Sequence, residues 1–394
     1  MDHLPRIQVS EQGCREIQSG GVILRPNHID SVAPDVSPGD LVHIASNQHA
    51  CCGIGYFNPA SRLPLRILTT RDESIDTDFW KRRFESAHRF RRQFFDDADS
   101  YRLIYGESDN LPGLVVDRFS DILVIQVTTL GMERLIDPIV RVLCEMFSPR
   151  AVILAADSQS RLKEGLPLYR KIIRGDISMP FAARVDGVTH YIDPLAGHKT
   201  GFFLDHRVNR LDAARLSKGR RVLDMFCYSG AFAIRAALEG ASRVTAIDLF
   251  DPAIELGRRT AVEHGIPSDR CVFIRNEASR FLQEHAGGAE WDLIFLDPPS
   301  LVRGVGRAQR NTSNYRKINR LALQCLAPQG ILVTSICSFH TCLQEFKNLL
   351  TDALTESGRQ GRIFKSSGAG PDHPVRPGLW ESEYLKCLFI QMFD

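Results

Sequence analysis

Cysteines at metal-ligand spacing are what this 394-residue chain most plainly lacks. Its ten cysteines, at 14, 51, 52, 144, 227, 271, 325, 337, 342 and 387, include no Cys-x-x-Cys pair. The usual zinc frameworks are therefore not expected, and no metal site is assigned. A run of about 18 apolar residues is also missing, which excludes a membrane-spanning helix. The first residues, Met1-Asp-His-Leu-Pro-Arg6, lack the basic-then-apolar order of a secretory signal. With its thiols scattered through apolar runs as small hydrophobes, the chain is expected in a reducing cytoplasm. Net charge of either sign is scarce too: +2. That balance neither favours nor excludes nucleic acid, so any RNA binding must come from local patches. No internal repeat or low-complexity segment is present.

What is present, 43% hydrophobic and 24% charged residues, is ordinary globular composition long enough for two or three domains. Residues 1–72 read as short strands between turns: Gly20–Leu24, Gly39–Ile44, Gly53–Phe57 and Leu65–Leu68. They predict a small closed β-barrel. A helix over 79–95 follows, with Asp76, Thr77 or Asp78 as N-cap. It carries an apolar stripe of Trp80, Phe84, Ala87, Phe90 and Phe94 amid Lys81, Arg82, Arg83, Arg89, Arg91 and Arg92. Two readings stay open, a solvated face over a docked stripe and an RNA-phosphate contact. Residues 73–185 complete this linker helix and a central α+β unit, with strands at 101–105, 114–117, 122–127 and 151–155 and a helix over 132–147. From 186 to 394 apolar strands alternate with helices, the signature of a doubly wound α/β domain. Its strands are predicted at 222–224, 244–248, 271–274, 293–297 and 331–336, with a last strand at 384–392 and a loop near 366–378.

The run Arg221-Val-Leu-Asp-Met-Phe-Cys-Tyr-Ser-Gly-Ala-Phe232 takes an apolar strand through a small-residue turn into an Ala-rich helix. Such an order builds a nucleotide-type pocket at the carboxyl edge of a parallel sheet. A nicotinamide dinucleotide would need several glycines around its pyrophosphate. Positions 225–233 hold only Gly230, after bulky Phe226 and Tyr228. S-adenosylmethionine, which has no phosphate, fits better. Asp224 is placed for water or the amino group of its methionine part. Asp248 can accept ribose hydroxyls through two oxygens, and Glu277 follows the third strand, where adenine would lie. Taken singly, Asp224 or Asp248 could instead cap a helix.

Asp297-Pro-Pro-Ser300 ends one later strand and Cys337 ends another. Carbon 5 of a pyrimidine is not nucleophilic until a thiolate adds to C6, a division of one hard step into easier ones. A lone cysteine at a strand end is more often packing; beside Asp297-Pro298 it reads as a nucleophile. Asp297 is expected on the N3/N4 edge of cytosine. Ser300 stands where exocyclic-amine methyltransferases place an aromatic residue, which disfavours that reaction. The segment 301–320 carries Arg303, Arg307, Arg310, Arg316, Lys317 and Arg320 with no acid, and is the leading RNA-contact candidate against a solvated loop.

These residues resemble the ribosomal RNA large subunit methyltransferase I family, cytosine-5 methyltransferases of 23S rRNA. The resemblance rests on Tyr105–Asp117, Gly197-His-Lys-Thr-Gly-Phe-Phe-Leu-Asp-His-Arg207, Val222–Phe232, Asp297–Ser300, Ser335–Ser338, Asp372–Pro374 and Glu383–Lys386. It implies a PUA-like RNA-binding barrel, a central α+β domain and a Rossmann-like class I methyltransferase domain. It also implies S-adenosylmethionine as methyl donor, large-subunit rRNA as partner and Cys337 as nucleophile, with a homodimer left open. The expected catalytic residues are Cys337 and Asp297. The expected cofactor residues are Asp224, Phe226, Tyr228, Gly230, Asp248, Glu277 and Asp297. Lys199, Arg207, Pro298, Arg303, Arg307 and Arg310 are expected to meet RNA. The alternatives are an rRNA guanine methyltransferase of the same fold and a non-catalytic RNA-binding assembly factor.

Overall fold

The computed structural model describes residues 4–47, 50–96, 99–299 and 308–393, the side chains of 308–311 excepted. Chain contacts divide into two compact units. One comprises Met1–Phe181, Asp193–Gly201 and Pro371–Gly378; the other comprises Ala182–Ile192, Phe202–Gly370 and Leu379–Asp394.

The first unit holds two sheets. The six-stranded sheet runs Ile23–Leu24, Leu65–Thr69, Cys51–Phe57, Leu41–Ser46, Arg6–Val9, Ile29–Val32 in spatial order. Helix Glu11–Gln18 packs on it, burying Cys14 and Ile17 against Val42, Ile44 and Ile67. Arg6–Val9, Ile29–Val32 and this helix are additions to the sequence reading: four residues is too short a run to show alternation, and the helix is mostly polar. Two of the thiols expected in a reducing setting, Cys14 and Cys52, are instead joined in a disulfide with Cα atoms 5.7 Å apart. Core packing places a helix thiol over a strand thiol that lies 38 residues away in sequence.

The second sheet of this unit has the order 169–174, 151–156, 122–127, 114–119, 101–105. Helix Thr77–Arg91, capped by the Asp76 carboxylate on the Phe79 N–H, buries Phe79, Trp80, Phe84 and Ala87 against it. Its positive face is less free than the sequence suggests. Arg91 is fully buried, forking onto both oxygens of Asp109, while Arg83 donates to the Leu68 carbonyl and Arg82 pairs with Glu73.

The second unit carries the sheet that positions the site. Its strands are labelled β1 (Arg221–Met225), β2 (Arg243–Asp248), β3 (Cys271–Arg275), β4 (Trp291–Leu296), β5 (Leu326–Cys337), β6 (Gly361–Ser367) and β7 (Leu385–Met392). The spatial order is β3-β2-β1-β4-β5-β7-β6, parallel through β5, with β7 antiparallel to both its neighbours. The Leu-Ile-Phe-Leu run of β4, with buried Val222, Leu223 and Met225 in β1 and Val244, Ala246 and Ile247 in β2, suits a sheet buried on both faces. One face is covered by α2 (Ala231–Leu238) and α3 (Asp251–Glu263), whose Ala233, Ile234 and Ile254 pack on Val222, Val244 and Phe295. The other is covered by α4 (Ala278–Glu284), α5 (Ala308–Cys325) and α6 (Leu343–Ser357), through Phe281, Leu321 and Phe346. The chain leaves β1 for one side and β4 for the other, and ligands settle outside the strand ends at such a reversal. The expected loop near 366–378 begins as strand β6, held by pairing to β7.

Candidate active site

Four side chains singled out in the sequence stand at the carboxyl ends of neighbouring parallel strands: Asp224 in β1, Asp248 ending β2, Asp297 just past β4 and Cys337 ending β5. Register accounts for the grouping, since Asp224 pairs with Phe295, and Leu296 with Met225 and Thr334. Asp297 and Ser335 thus emerge at one level.

Between β1 and α2 the chain makes a turn in which Phe226, Tyr228 and Gly230 all take left-handed backbone angles, φ 61°, 49° and 70°. For the two aromatic residues this costs about 1–2 kcal/mol each, strain of a kind that concentrates at functional sites. Two anchors hold it. The Asp248 carboxylate accepts from the Tyr228 N–H at 2.8 Å and the Phe250 N–H at 2.9 Å, and the rings of Tyr228 and Phe250 lie parallel with centroids 6.2 Å apart. Gly230 is required sterically, because a Cβ there would stand 2.4 Å from Phe273 Cε1.

Asp224 is 2% exposed and accepts from the Ala233 N–H at 2.9 Å, so it occupies the amino end of α2. Burial pushes its carboxyl well above the usual range; the Ala233 N–H opposes this and the charges of Asp297 and Asp248 add to it. These positions bear on which cofactor fits. A carboxyl already fills the helix end where a pyrophosphate would bind, whereas three converging carboxyls suit a cationic sulfonium. Asp248 uses one backbone bond per oxygen, leaving each with acceptor capacity for a ribose hydroxyl. The pocket fits S-adenosylmethionine. Glu277, expected near adenine, caps α4 with both oxygens, on the Ser279 and Arg280 N–H groups. Slight desolvation raises its carboxyl, but those two N–H bonds outweigh it and leave the value lowered.

At the reacting end, Asp297 Oδ1 gathers three groups: the Ser335 hydroxyl donates to it, the Cys337 thiol reaches it at 3.9 Å, and His206 Nε2 lies 3.1 Å away. One atom each of His206, Asp297 and Cys337 fall within 4.8 Å of one another. Oδ2 of Asp297 takes no protein hydrogen bond among the described residues. Burial disfavours a charged His206, yet the nearby charge of Asp297 outweighs it and holds the imidazole above its ordinary value. Cys337 is half-buried, unlike Cys227, Cys271, Cys325 and Cys387. Burial pushes Cys271 and Cys325 up to about 12, so neither supplies a thiolate near neutrality.

The sequence reading missed two residues. His206 is brought in by the Phe202–His206 segment leading to the helix Arg207–Ala214, α1 of this unit, and its only sequence signal was a place near the end of the Gly197–Arg207 segment. Lys386 is 7% exposed and donates to the Ser338 and Glu383 carbonyls at 3.0 and 2.6 Å. Burial pushes its ammonium down, and Glu383, Cys342 and Cys337 partly offset that. A lone lysine within the apolar β7 was the available signal.

Several expected RNA contacts fall elsewhere. Arg207 is 4% exposed, its Nε 3.1 Å from Asp186, which Arg210 also engages; a buried ion pair cannot meet a phosphate. Pro298 is buried, leaving Pro299 as the exposed member of the pair. Lys199 is exposed and belongs to the first unit. Arg303 and Arg307 lie outside the described residues, as does the side chain of Arg310, whose backbone is in α5. The run is not free of acids in space, since Arg316 and Arg320 reach Glu356 of α6 at 3.2 and 3.8 Å.

This strand order, with a phosphate-excluding turn and an acidic cofactor pocket, defines a class I S-adenosylmethionine-dependent methyltransferase. Residues 171–352 match the family model for S-adenosylmethionine-dependent methyltransferases, and residues 7–70 match that for a PUA-like domain. The chain belongs to the ribosomal RNA large subunit methyltransferase I family. It is 34% identical over 368 residues to the Pseudoalteromonas atlantica member, covering 92% of this chain and 93% of that one. With the Erwinia tasmaniensis member it shares 33% over 354 residues, 89% of each. A solved structure described as a candidate SAM-dependent methyltransferase from Streptococcus mutans shares the fold, with TM-score 0.81, 18% identity, and coverage of 98% of this chain and 100% of that. A second, solved in complex with SAH, superposes at TM-score 0.82, again at 18% identity and with 98% and 100% coverage. Among the described residues no helix is long and apolar enough to cross a membrane.

Proposed function

We propose that this enzyme methylates carbon 5 of a cytosine in large-subunit rRNA through a covalent adduct with Cys337. The names of its relatives support rRNA as substrate. The observation that carries the pyrimidine chemistry is the half-buried Cys337 sulfur within 3.9 Å of Asp297 at the carboxyl edge of the sheet.

Asp248 would hold the ribose of S-adenosylmethionine, Glu277 would lie toward its adenine, and the turn Phe226–Gly230 would enclose it. When bound, the cofactor supplies an electrophilic methyl group on a sulfonium sulfur. Cys337 sulfur adds to C6 of the cytosine, and its proton passes by way of Asp297 to N3. The C5=C6 electron pair becomes the nucleophile at C5 and takes the methyl group, the electrons of the broken S–CH3 bond staying on the donor sulfur, which would leave as a neutral thioether. Loss of the C5 proton to solvent base returns an electron pair that breaks the S–C6 bond, and N3 gives up its proton. Asp297 Oδ2 is the acceptor for the N3/N4 edge, while His206 and Ser335 fix Oδ1. His206 is a positioning residue, holding the carboxylate and balancing its charge. The target base must leave its stack to enter such a site.

Cys337→Ala should abolish 5-methylcytosine formation while S-adenosylmethionine affinity, measured calorimetrically, stays within about twofold. RNA carrying 5-fluorocytosine, which has no C5 proton to lose, should trap a covalent complex with the native enzyme. A variant that still methylates rRNA would assign the reaction to a guanine.

A further inference from the structure

We propose that Phe339, His340 and Trp380 form a stacking platform for an unpaired RNA base next to the target cytosine, an inference that rests on the reading above. Phe339 and Trp380 are 41% and 52% exposed, and their rings meet edge to face at 5.3 Å. His340 is also exposed and lies 4.2 Å from Phe339 and 6.0 Å from Trp380, centroid to centroid. Three exposed rings in mutual contact, brought together from two chain segments, are a costly arrangement in water unless something covers them.

Position and composition argue that the cover is a nucleobase. Phe339 is two residues beyond Cys337, so the platform begins within roughly 7 Å of the nucleophile's backbone. The tie between its halves is specific. Lys386 donates to both the Ser338 and the Glu383 carbonyls, and the Ser338 N–H donates to the Tyr384 carbonyl at 2.8 Å. One buried ammonium therefore couples the turn bearing Phe339 and His340 to the turn bearing Trp380, and both to the end of β5. Flat π-faces accept any base, which is how unpaired RNA is gripped without sequence readout. A flipped cytosine needs its neighbour held, because unstacking one base leaves the next without a partner.

The chain offers a direct reporter. Of its three tryptophans, Trp80 and Trp291 are 0% and 6% exposed, so an RNA-dependent change in indole fluorescence belongs to Trp380. Large-subunit rRNA from cells lacking the enzyme, or a single-stranded fragment that it methylates, should quench this emission, and the Trp380→Phe variant should show no such change. Phe339→Ala and Trp380→Ala should each raise KM for RNA roughly tenfold, with kcat and S-adenosylmethionine affinity retained; Trp380→Phe should keep a near-native KM. Unchanged KM in both alanine variants, with methylation intact, overturns the platform and leaves the methyltransferase reading standing. Unchanged KM together with loss of a concentration-dependent dimer would reassign the patch to a second copy of the chain. If native enzyme neither methylates rRNA nor responds to it, the functional reading falls first.

Discussion

His206 Nε2 sits 3.1 Å from the same Asp297 oxygen that the Cys337 thiol approaches at 3.9 Å. One carboxylate oxygen therefore couples a buried imidazole to the candidate nucleophile, and the state of the imidazole sets the charge that the sulfur meets.

The first prediction concerns pH. The His206 value is raised in the folded chain, since Asp297 outweighs the burial that would lower it. Its pairing therefore contributes stability fully below the unfolded histidine value of about 6.5, and loses it as pH rises through the higher folded value. The urea stability difference between native protein and His206→Gln should be largest at mildly acidic pH and shrink in the alkaline direction. A difference that grows with pH would mean that His206 is held neutral.

Lys386 offers a second. Its ammonium is buried and feels the Cys337 sulfur, and a nearby cation favours a thiolate. Lys386→Met should slow alkylation of Cys337 by iodoacetamide by roughly three- to tenfold at neutral pH. Peptide mapping by mass spectrometry isolates Cys337 from the exposed Cys342. An unchanged rate at Cys337 would remove Lys386 from the chemistry and leave it only as the tie between two turns.

Gly230 tests the cofactor turn. Substitution by alanine meets a left-handed φ of 70° and Phe273 Cε1 at 2.4 Å. Phe273 cannot swing aside freely, because a Cβ at Gly257 would stand equally close to the same atom. Strain and overpacking together should cost about 2–5 kcal/mol and weaken S-adenosylmethionine binding. Denaturant titration and calorimetry measure the two effects separately. A fully stable variant would show that the Phe273 ring has another place to go.

The residues that were legible and those that were not differ for a physical reason. Asp224, Asp248, Asp297 and Cys337 stood out because buried parallel strands are largely apolar, and a carboxylate or thiol at their carboxyl end is conspicuous. Arg207 misled because its partner Asp186 lies in the turn of the hairpin formed by Phe181–Val185 and Val188–Ile192, and nothing local announces that pairing. Arg316 and Arg320 looked unopposed for the same reason, their acid arriving on α6. His206 lacked any periodic setting, and the Cys14–Cys52 bond joins elements whose contact only the packed core defines. Sequence exposes what strand burial enforces and conceals what long-range pairing selects.

The acidic pocket supplies the last prediction. Asp224 is held protonated to unusually high pH by burial, with Asp297 and Asp248 adding to the effect. Because its folded value exceeds its unfolded one, the ligand-free chain loses stability as pH rises from about 3.9 toward the folded value. A sulfonium favours the ionised carboxyl, so S-adenosylmethionine should bind with proton release and gain affinity as pH rises through that window. SAH has a neutral sulfur and should show a shallower slope. Calorimetry with both ligands between about pH 5 and 8 in buffers of different ionisation enthalpy measures the protons released, and Asp224→Asn should bring the two slopes together. Equal slopes in the native enzyme would mean that the sulfonium does not feel the carboxyls.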